Sequence, residues 1–306
     1  MILIFSNKND FTTNLVQDWL YYYGKKSVRI NDSAQGVKYD LNGVSIIGNN
    51  DEEIEINDVD SCWYRKGRII KSPPIHDPIS ISEYQVIKEH IEFLLSTKNT
   101  IGNLKSDNMV NKLIVLNIAK RVGLTIPNTY VLDNKKDLND LLSSNPDKEF
   151  IIKMKTETSM FHFEDTSGII YTNNLNKEDL EKFPSTFLPT LLQEKIDKHF
   201  EIRTFYLEGK TWSMAIFSQN DEQTKDDYRK YNFSKPNRNT PFKIPLILEN
   251  KLSNIMAELN LQTGSIDWIL SKDGQFHFLE INPTGQFSNL SMTCNYPLEQ
   301  IIAEKL

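Results

Sequence analysis

Glycine is scarce in this chain, 12 in 306 residues, and none falls in a spacing that cradles phosphate. Ser6-Asn7-Lys8-Asn9 follow the first strand-like run with no glycine at all, which excludes a dinucleotide fingerprint there. Cysteine is limited to Cys62 and Cys294, far apart, so neither a disulfide framework nor a thiolate metal site is expected, only two reduced, packed thiols. The five histidines show no ligand spacing, which disfavours histidine catalysis. Positive charge is not in excess: the formal net charge of -6 argues against broad binding to nucleic acid or anionic lipid. No apolar run approaches the roughly 18 residues of a membrane helix. The chain opens on MILIF and not on an export signal, so a cytoplasmic protein with no membrane partner is expected.

What remains is ordinary globular composition, 39% hydrophobic and 25% charged, over a length of about two average domains. The first hundred or so residues alternate strand and helix patterns: strands at 2–5, 27–30, 44–47 and 61–64, helices at 9–23 and 80–96. That alternation predicts a small doubly wound α/β unit. A second region opens with a helix capped near Ser106-Asp107 and running through Arg121. Strands follow at 150–154, 168–171 and 191–196, then a hairpin at 201–217 turning on Glu208-Gly209, and a helix at 246–259. Residues 219–245 are polar and charged with no apolar period.

The most informative stretch is GSIDWILSKDGQFHFLEINPTG, residues 264–285. β-branched and aromatic residues flanking Asp273-Gly274 predict a hairpin with a two-residue turn. Counting outward pairs Leu270 with His277, Trp268 with Leu279 and Asp267 with Glu280, and Asn282 shares the face of Glu280. A three-residue turn would shift that register by one. Ile269, Phe276 and Phe278 lie on the carboxylate face, so both faces look buried. Two like charges about 4 Å apart repel by roughly 4 kcal/mol at a protein-like dielectric, against about 0.2–1 kcal/mol gained from a favourable cross-strand pair. A neutralising charge is needed, and the oxygen-only set Asp267, Glu280 and Asn282 suits Mg²⁺. The alternative is a surface hairpin with two solvated acids.

Without a glycine-rich loop, phosphate binding falls to lysines on rigid elements. Lys153 ends the apolar run Phe150-Ile151-Ile152, where a lysine is rarely idle, while Lys112 on the preceding helix, taken alone, reads first as a solvated charge. Gln193, Glu194 and Ile196 end another apolar strand, the sort of edge that can read an adenine. Alternation puts Glu201, Arg203 and Phe205 on one face, where Arg203 suits a phosphate or acyl phosphate, or alternatively a cross-strand ion pair.

In this order, helical lysine, strand lysine, Gln-Glu-x-Ile, Glu-Ile-Arg, a late Asp and Glu-x-Asn-Pro, the chain resembles the ATP-grasp ligases over roughly residues 105–290. Glu280-Ile281-Asn282-Pro283-Thr284-Gly285-Gln286-Phe287, Cys62-Trp63-Tyr64-Arg65-Lys66, Pro236-Asn237-Arg238 and Pro241-Phe242-Lys243 are similar to the macrocyclases of graspetides, the microviridin-type ω-ester or ω-amide peptides, and most of all to the maturases of grasp-with-spasm systems. The resemblance implies an ATP-grasp fold of the α/β (α+β) class. Residues 1–104 would form the N-terminal doubly wound pre-ATP-grasp domain, 105–190 the small lid subdomain, and 191–306 the C-terminal subdomain with the metal site and a peptide-binding insertion at 219–245.

It also implies site roles. Lys112 and Lys153 would hold the ATP phosphates, Gln193, Glu194 and Ile196 would border the adenine, and Glu201 would lie near the ribose. Arg203 would face an acyl phosphate, Lys153 would share in the catalysis, and Asp267, Glu280 and Asn282 would hold two Mg²⁺ ions. Arg65, Arg229 and Arg238 would meet a precursor peptide made of leader and core, and a homodimer is expected. Residues 153–168 lack the family's glycine-rich flap, which leaves 156–168 as the candidate lid. The activity implied is ATP-dependent macrocyclisation through side-chain acyl phosphates. The alternatives are another carboxylate–amine ligase of the same fold, or an ATP-binding regulator without turnover.

Overall fold

The computed structural model describes residues 1–306 except 42, 74–76, 156–159, 164–165, 170–171, 226, 229 and 231, and except the side chains of 108–109, 160–163, 166–169 and 177–179. Arg229, expected at the substrate, and part of the candidate lid lie outside the described residues. Within 156–168 the described backbone forms a two-stranded ribbon, Met160–Phe163 with Thr166–Ile169. The chain folds into two compact units, each described by itself. One comprises Met1–Met109, Asn260–Thr263 and Pro283–Leu306, the other Val110–Leu259 and Gly264–Asn282.

The first unit is built on a parallel sheet in the order Ser27–Asn31, Ile2–Ser6, Ser61–Tyr64, Asn99–Ile101. Ile2–Ser6 and Ser61–Tyr64 are buried at every position, as continuous apolar runs in parallel sheets are. The Phe5 and Tyr64 rings stack in the core with their centroids 5.5 Å apart. Residues 44–47, expected in this sheet, instead belong to a three-stranded antiparallel meander of Gly36–Asp40, Gly43–Ile47 and Glu53–Glu55. The connection at 41–42 is too short for anything but a hairpin, because a parallel crossover needs a dozen or more residues. Leu298–Lys305 packs on Phe11–Tyr22, so the C-terminal residues belong to the unit formed by the N-terminal hundred. Cys62 and Cys294 are both buried and reduced.

The second unit carries two sheets. Four strands run in the order Thr129–Asn134, Thr186–Glu194, Phe150–Lys153, Asn173–Asn174, and five in the order Arg238–Phe242, Lys210–Phe217, Lys198–Leu207, Thr263–Ser271, Phe276–Asn282. The helix expected through Arg121 is two helices, Leu104–Met109 and Lys112–Arg121. Asn111 causes the break: its backbone is extended and its side chain accepts from the Leu113 and Ile114 amides, a strong N-cap. Lys112 is therefore the first residue of its helix and does not lie along a helical face.

The last hairpin departs from the expected register twice. Its turn holds three residues, Lys272, Asp273 and Gly274, closed by Ser271 N donating to Gln275 O at 2.9 Å, with Gly274 at φ +85° in the left-handed region glycine tolerates. Leu270 thus faces Phe276, Ile269 faces His277, and Trp268 faces Phe278. Leu279 is then an extra residue, a β-bulge, after which Asp267 faces Glu280 and Ser265 faces Asn282. Longer turn and bulge cancel, so the carboxylate pair stands as expected while the pairs between it and the turn do not. Phe278 moves to the face of Trp268, where the two fully buried rings meet edge-on at 5.2 Å.

Because the cap of the Lys112–Arg121 helix rests on one side chain, Asn111→Ala should lower stability by about 1 kcal/mol and Asn111→Gly by only a few tenths. Urea midpoints of the two variants check this, and equal losses would contradict it.

Candidate active site

Asp267 and Glu280, face to face on adjacent strands, each meet a cation from a different element. The Arg203 guanidinium, on the neighbouring strand Lys198–Leu207, donates through one nitrogen to both Asp267 oxygens at 2.8 and 2.9 Å. Lys112 Nζ lies 2.8 Å from Glu280 Oε2 and donates also to the Met154 carbonyl at 3.2 Å, one residue beyond Lys153. Burial would lower the Arg203 pKa, but Asp267, with Tyr228 and Glu280 acting the same way, holds it above its ordinary value, so Arg203 is a permanent cation. The structure therefore brings Lys112, Arg203, Asp267, Glu280 and the end of the Lys153 strand together in one unit.

The repulsion that called for a metal is thus met by the chain's own cations, and repulsion alone does not require one. A different observation bears on the metal. Asn282 Oδ1 is buried and has no hydrogen-bond partner among the described residues, an acceptor left open next to two carboxylates. Among the described residues no three His, Cys, Asp or Glu side chains converge. Two carboxylates and an amide oxygen form the hard donor set that Mg²⁺ takes, and these residues fit that ion.

Lys153 lies at the end of a strand paired on both sides, half-buried, with Leu191 opposite it. Thr186–Glu194, read as an edge, is an interior strand between Thr129–Asn134 and Phe150–Lys153, because both flanks find partners. Gln193 is buried, its amide nitrogen on Thr129 Oγ1 at 3.0 Å and its Oε1 without a partner among the described residues. Glu194 takes Lys148 Nζ at 3.0 Å and the Asn128 amide, and its own N–H is given to Asn128 O. Half-buried Ile196 lies beyond the end of the strand at Glu194.

Glu201 is 7% exposed. Lys198 Nζ reaches its Oε1 at 2.6 Å and the Ser218 hydroxyl donates to its Oε2. Burial pushes its carboxyl up, and Lys198 and Ser218 offset this only in part. Arg238 opens an edge strand with its guanidinium 5.5 Å above the Phe217 ring. The insertion is not a solvated loop, since Thr224 and Asp227 are buried.

Arg65, expected to meet substrate, is 4% exposed in the first unit, and its donors are spent internally. Nε reaches Asp10 Oδ2 at 3.2 Å, Nη1 donates to the Thr284 and Gly285 carbonyls, Nη2 donates to Gln286 Oε1 at 2.8 Å, and the group lies over the Phe287 ring. The sequence motifs at 62–66 and 280–287 gave no sign that the two segments bind each other; the hydrogen bonds of Arg65 show it. Burial alone would raise the Asp10 carboxyl, but Arg65, Thr13, Gln286 and Lys66 outweigh it and hold it below the ordinary 3.8.

A depressed folded-state pKa contributes stability above that ordinary value and loses it as pH falls through the depressed one. Arg65→Met leaves the buried Asp10 charge to Lys66, 3.7 Å away, and should cost about 3 kcal/mol at neutral pH. The gap to the parent in urea midpoint should shrink as pH is lowered from 7 towards 3, and a gap independent of pH would contradict the assignment.

No protein-family model matches the chain, and no curated protein matches it. Solved structures do. The chain is similar to macrocyclase MdnC of Microcystis aeruginosa MRC bound with precursor peptide MdnA, at 25% identity and TM-score 0.80, covering 99% of this chain and 98% of that one. It is similar to a RiPP-associated ATP-grasp ligase of Chryseobacterium gregarium in complex with ADP and a leader and core peptide, at 22% identity and TM-score 0.78, covering 99% and 95%. Ligase PsnB complexed with minimal precursor, Mg and ADP matches at 13% identity and TM-score 0.74, covering 99% and 96%. The chain has the ATP-grasp fold over nearly its whole length, and its structural neighbours are RiPP ATP-grasp macrocyclases and ligases.

Proposed function

We propose that this protein is an ATP-dependent macrocyclase of a ribosomally made precursor peptide. The observation that carries this is the pairing of Asp267 and Glu280 with Arg203 and Lys112 beside the open Asn282 acceptor, in a chain whose fold is that of peptide macrocyclases along its length. MdnC is bound with a precursor peptide and PsnB is complexed with precursor, Mg and ADP, which supports a peptide partner, ATP and Mg²⁺.

A carboxylate is a poor electrophile. In the proposed reaction, a Glu or Asp side-chain oxygen of the peptide attacks the γ-phosphorus of ATP, the bond to ADP breaks, and an acyl phosphate forms. A Ser or Thr hydroxyl, or a Lys amine, then attacks the carbonyl, phosphate leaves, and the nucleophile's proton passes to phosphate or solvent. Asp267, Glu280 and Asn282 would hold Mg²⁺, which supplies charge neutralisation on the triphosphate. Lys153 and Lys112 would bind phosphate oxygens, and Lys112 would leave Glu280 to do so. Arg203 would stabilise the oxyanion formed at the carbonyl. Gln193, Glu194 and Ile196 would border the adenine. The described site residues include no nucleophile–base pair, and none is needed, because the peptide supplies both reacting groups. Arg229 and Arg238, on the insertion, would meet core carboxylates.

Incubation with ATP, Mg²⁺ and a synthetic peptide encoded beside this gene, with a Ser/Thr- and Glu/Asp-rich tail, should release ADP and lower the peptide mass by one water per ring. A mass gain equal to an amino acid would mark a carboxylate–amine ligase instead. Glu280→Gln should reduce ADP release by roughly a thousandfold with circular dichroism and thermal midpoint unchanged, and undiminished turnover would remove the role given to Glu280.

A further inference from the structure

The insertion has internal architecture. The hydroxyl of Thr224, fully buried, donates to the Ser218 carbonyl at 2.9 Å and lies 3.1 Å from the Asn237 side-chain amide, which brings the entry of the loop to its exit. Asn232 donates to Asp221 at 2.7 Å and Lys235 to the Asn220 carbonyl, which closes the loop a second and third time. Asp227 is 5% exposed and accepts from the Thr172 amide at 3.3 Å. A surface loop tied down by its own buried side chains is a common setting for binding.

The start of the loop is held at Ser218. Ser218 is fully buried, and its hydroxyl accepts from the Gln219 amide at 3.1 Å while donating to Glu201. Glu201 in turn is fixed by Lys198, itself 7% exposed. With one oxygen on Lys198 and the other on Ser218, and the side chain shut off from solvent, Glu201 has little left to offer a ribose. It does stand two residues from Arg203 on the same strand face, so whatever Glu201 holds is placed next to Arg203. Tyr228, in the same loop, adds to the field that keeps Arg203 charged.

We infer that Glu201 is the anchor of the 218–237 loop and a positioning residue for the peptide substrate, not a nucleotide contact. The inference rests on the peptide-ligase reading for what the loop holds, but not for how the loop is held. An anchor acts on peptide affinity and on loop order; a ribose contact acts on nucleotide affinity.

The test compares Glu201→Ala, Glu201→Gln and the milder Ser218→Ala, which removes a hydroxyl only and keeps the test open if Glu201→Ala does not fold. Three quantities are measured: affinity for Mg·ADP by calorimetry, KM and kcat for the precursor peptide, and hydrogen exchange of residues 218–237 in the protein without ligands. Glu201→Ala and Ser218→Ala should raise the peptide KM about tenfold, leave Mg·ADP affinity within twofold, and speed exchange in the loop. Glu201→Gln, which keeps an acceptor for Lys198 and a polar group for Ser218, should recover most of the loss. Weakened Mg·ADP affinity with an unchanged peptide KM would overturn the inference, as would unchanged loop exchange. Faster loop exchange in a protein whose parent form modifies no peptide would leave the anchor standing and overturn the peptide-ligase reading alone.

Discussion

Two carboxylates facing each other across a β-ribbon are the constraint on which the site is built. Asp267 and Glu280 would repel, and the fold answers by bringing Arg203 from the adjacent strand and Lys112 from a helix start onto one each. Each cation neutralises one carboxylate and so lets the two face each other. The Asn282 oxygen beside them has no hydrogen-bond partner among the described residues, and under the proposed function the three oxygens would hold a metal while the two cations turn to substrate.

The sequence made the fold and the cluster legible to different degrees. The oxygen-rich hairpin was visible because strand alternation has a period of two and Asp-Gly marks a turn, and the Asp267–Glu280 pairing holds. It holds through compensation, since the turn is one residue longer than the Asp-Gly pair suggests and Leu279 bulges to restore the register. No local pattern announces a bulge, and beside it the Phe278 amide donates to the Thr125 carbonyl, a contact between residues far apart in sequence. The cap at Asn111 was readable in principle, because Asn before an apolar-periodic run is a start signal, but the flanking helical pattern concealed it.

Charged residues were the harder case, because sequence reports charge and not partners. Arg65 carries the same label as Arg203, yet one is locked into Asp10 and the 284–286 carbonyls and the other pairs at the cluster. Glu201 likewise turns out to be buried between Lys198 and Ser218. Burial separates these roles, and burial of a long polar side chain depends on which other segments arrive beside it. The 219–245 segment, polar and without period, gave no sign of the buried Thr224 and Asp227 that tie it down.

The central claim is that Asp267, Glu280 and Asn282 together grip a divalent ion beside a nucleotide. Electron paramagnetic resonance of Mn²⁺ titrated into the protein with ADP tests it most directly, because Mn²⁺ takes the same oxygen donors and reports binding without turnover. The parent protein should bind Mn²⁺·ADP, and a variant carrying Asp267→Asn with Asn282→Leu should lose that signal while keeping its fold. Undiminished Mn²⁺ binding by the variant would contradict the account.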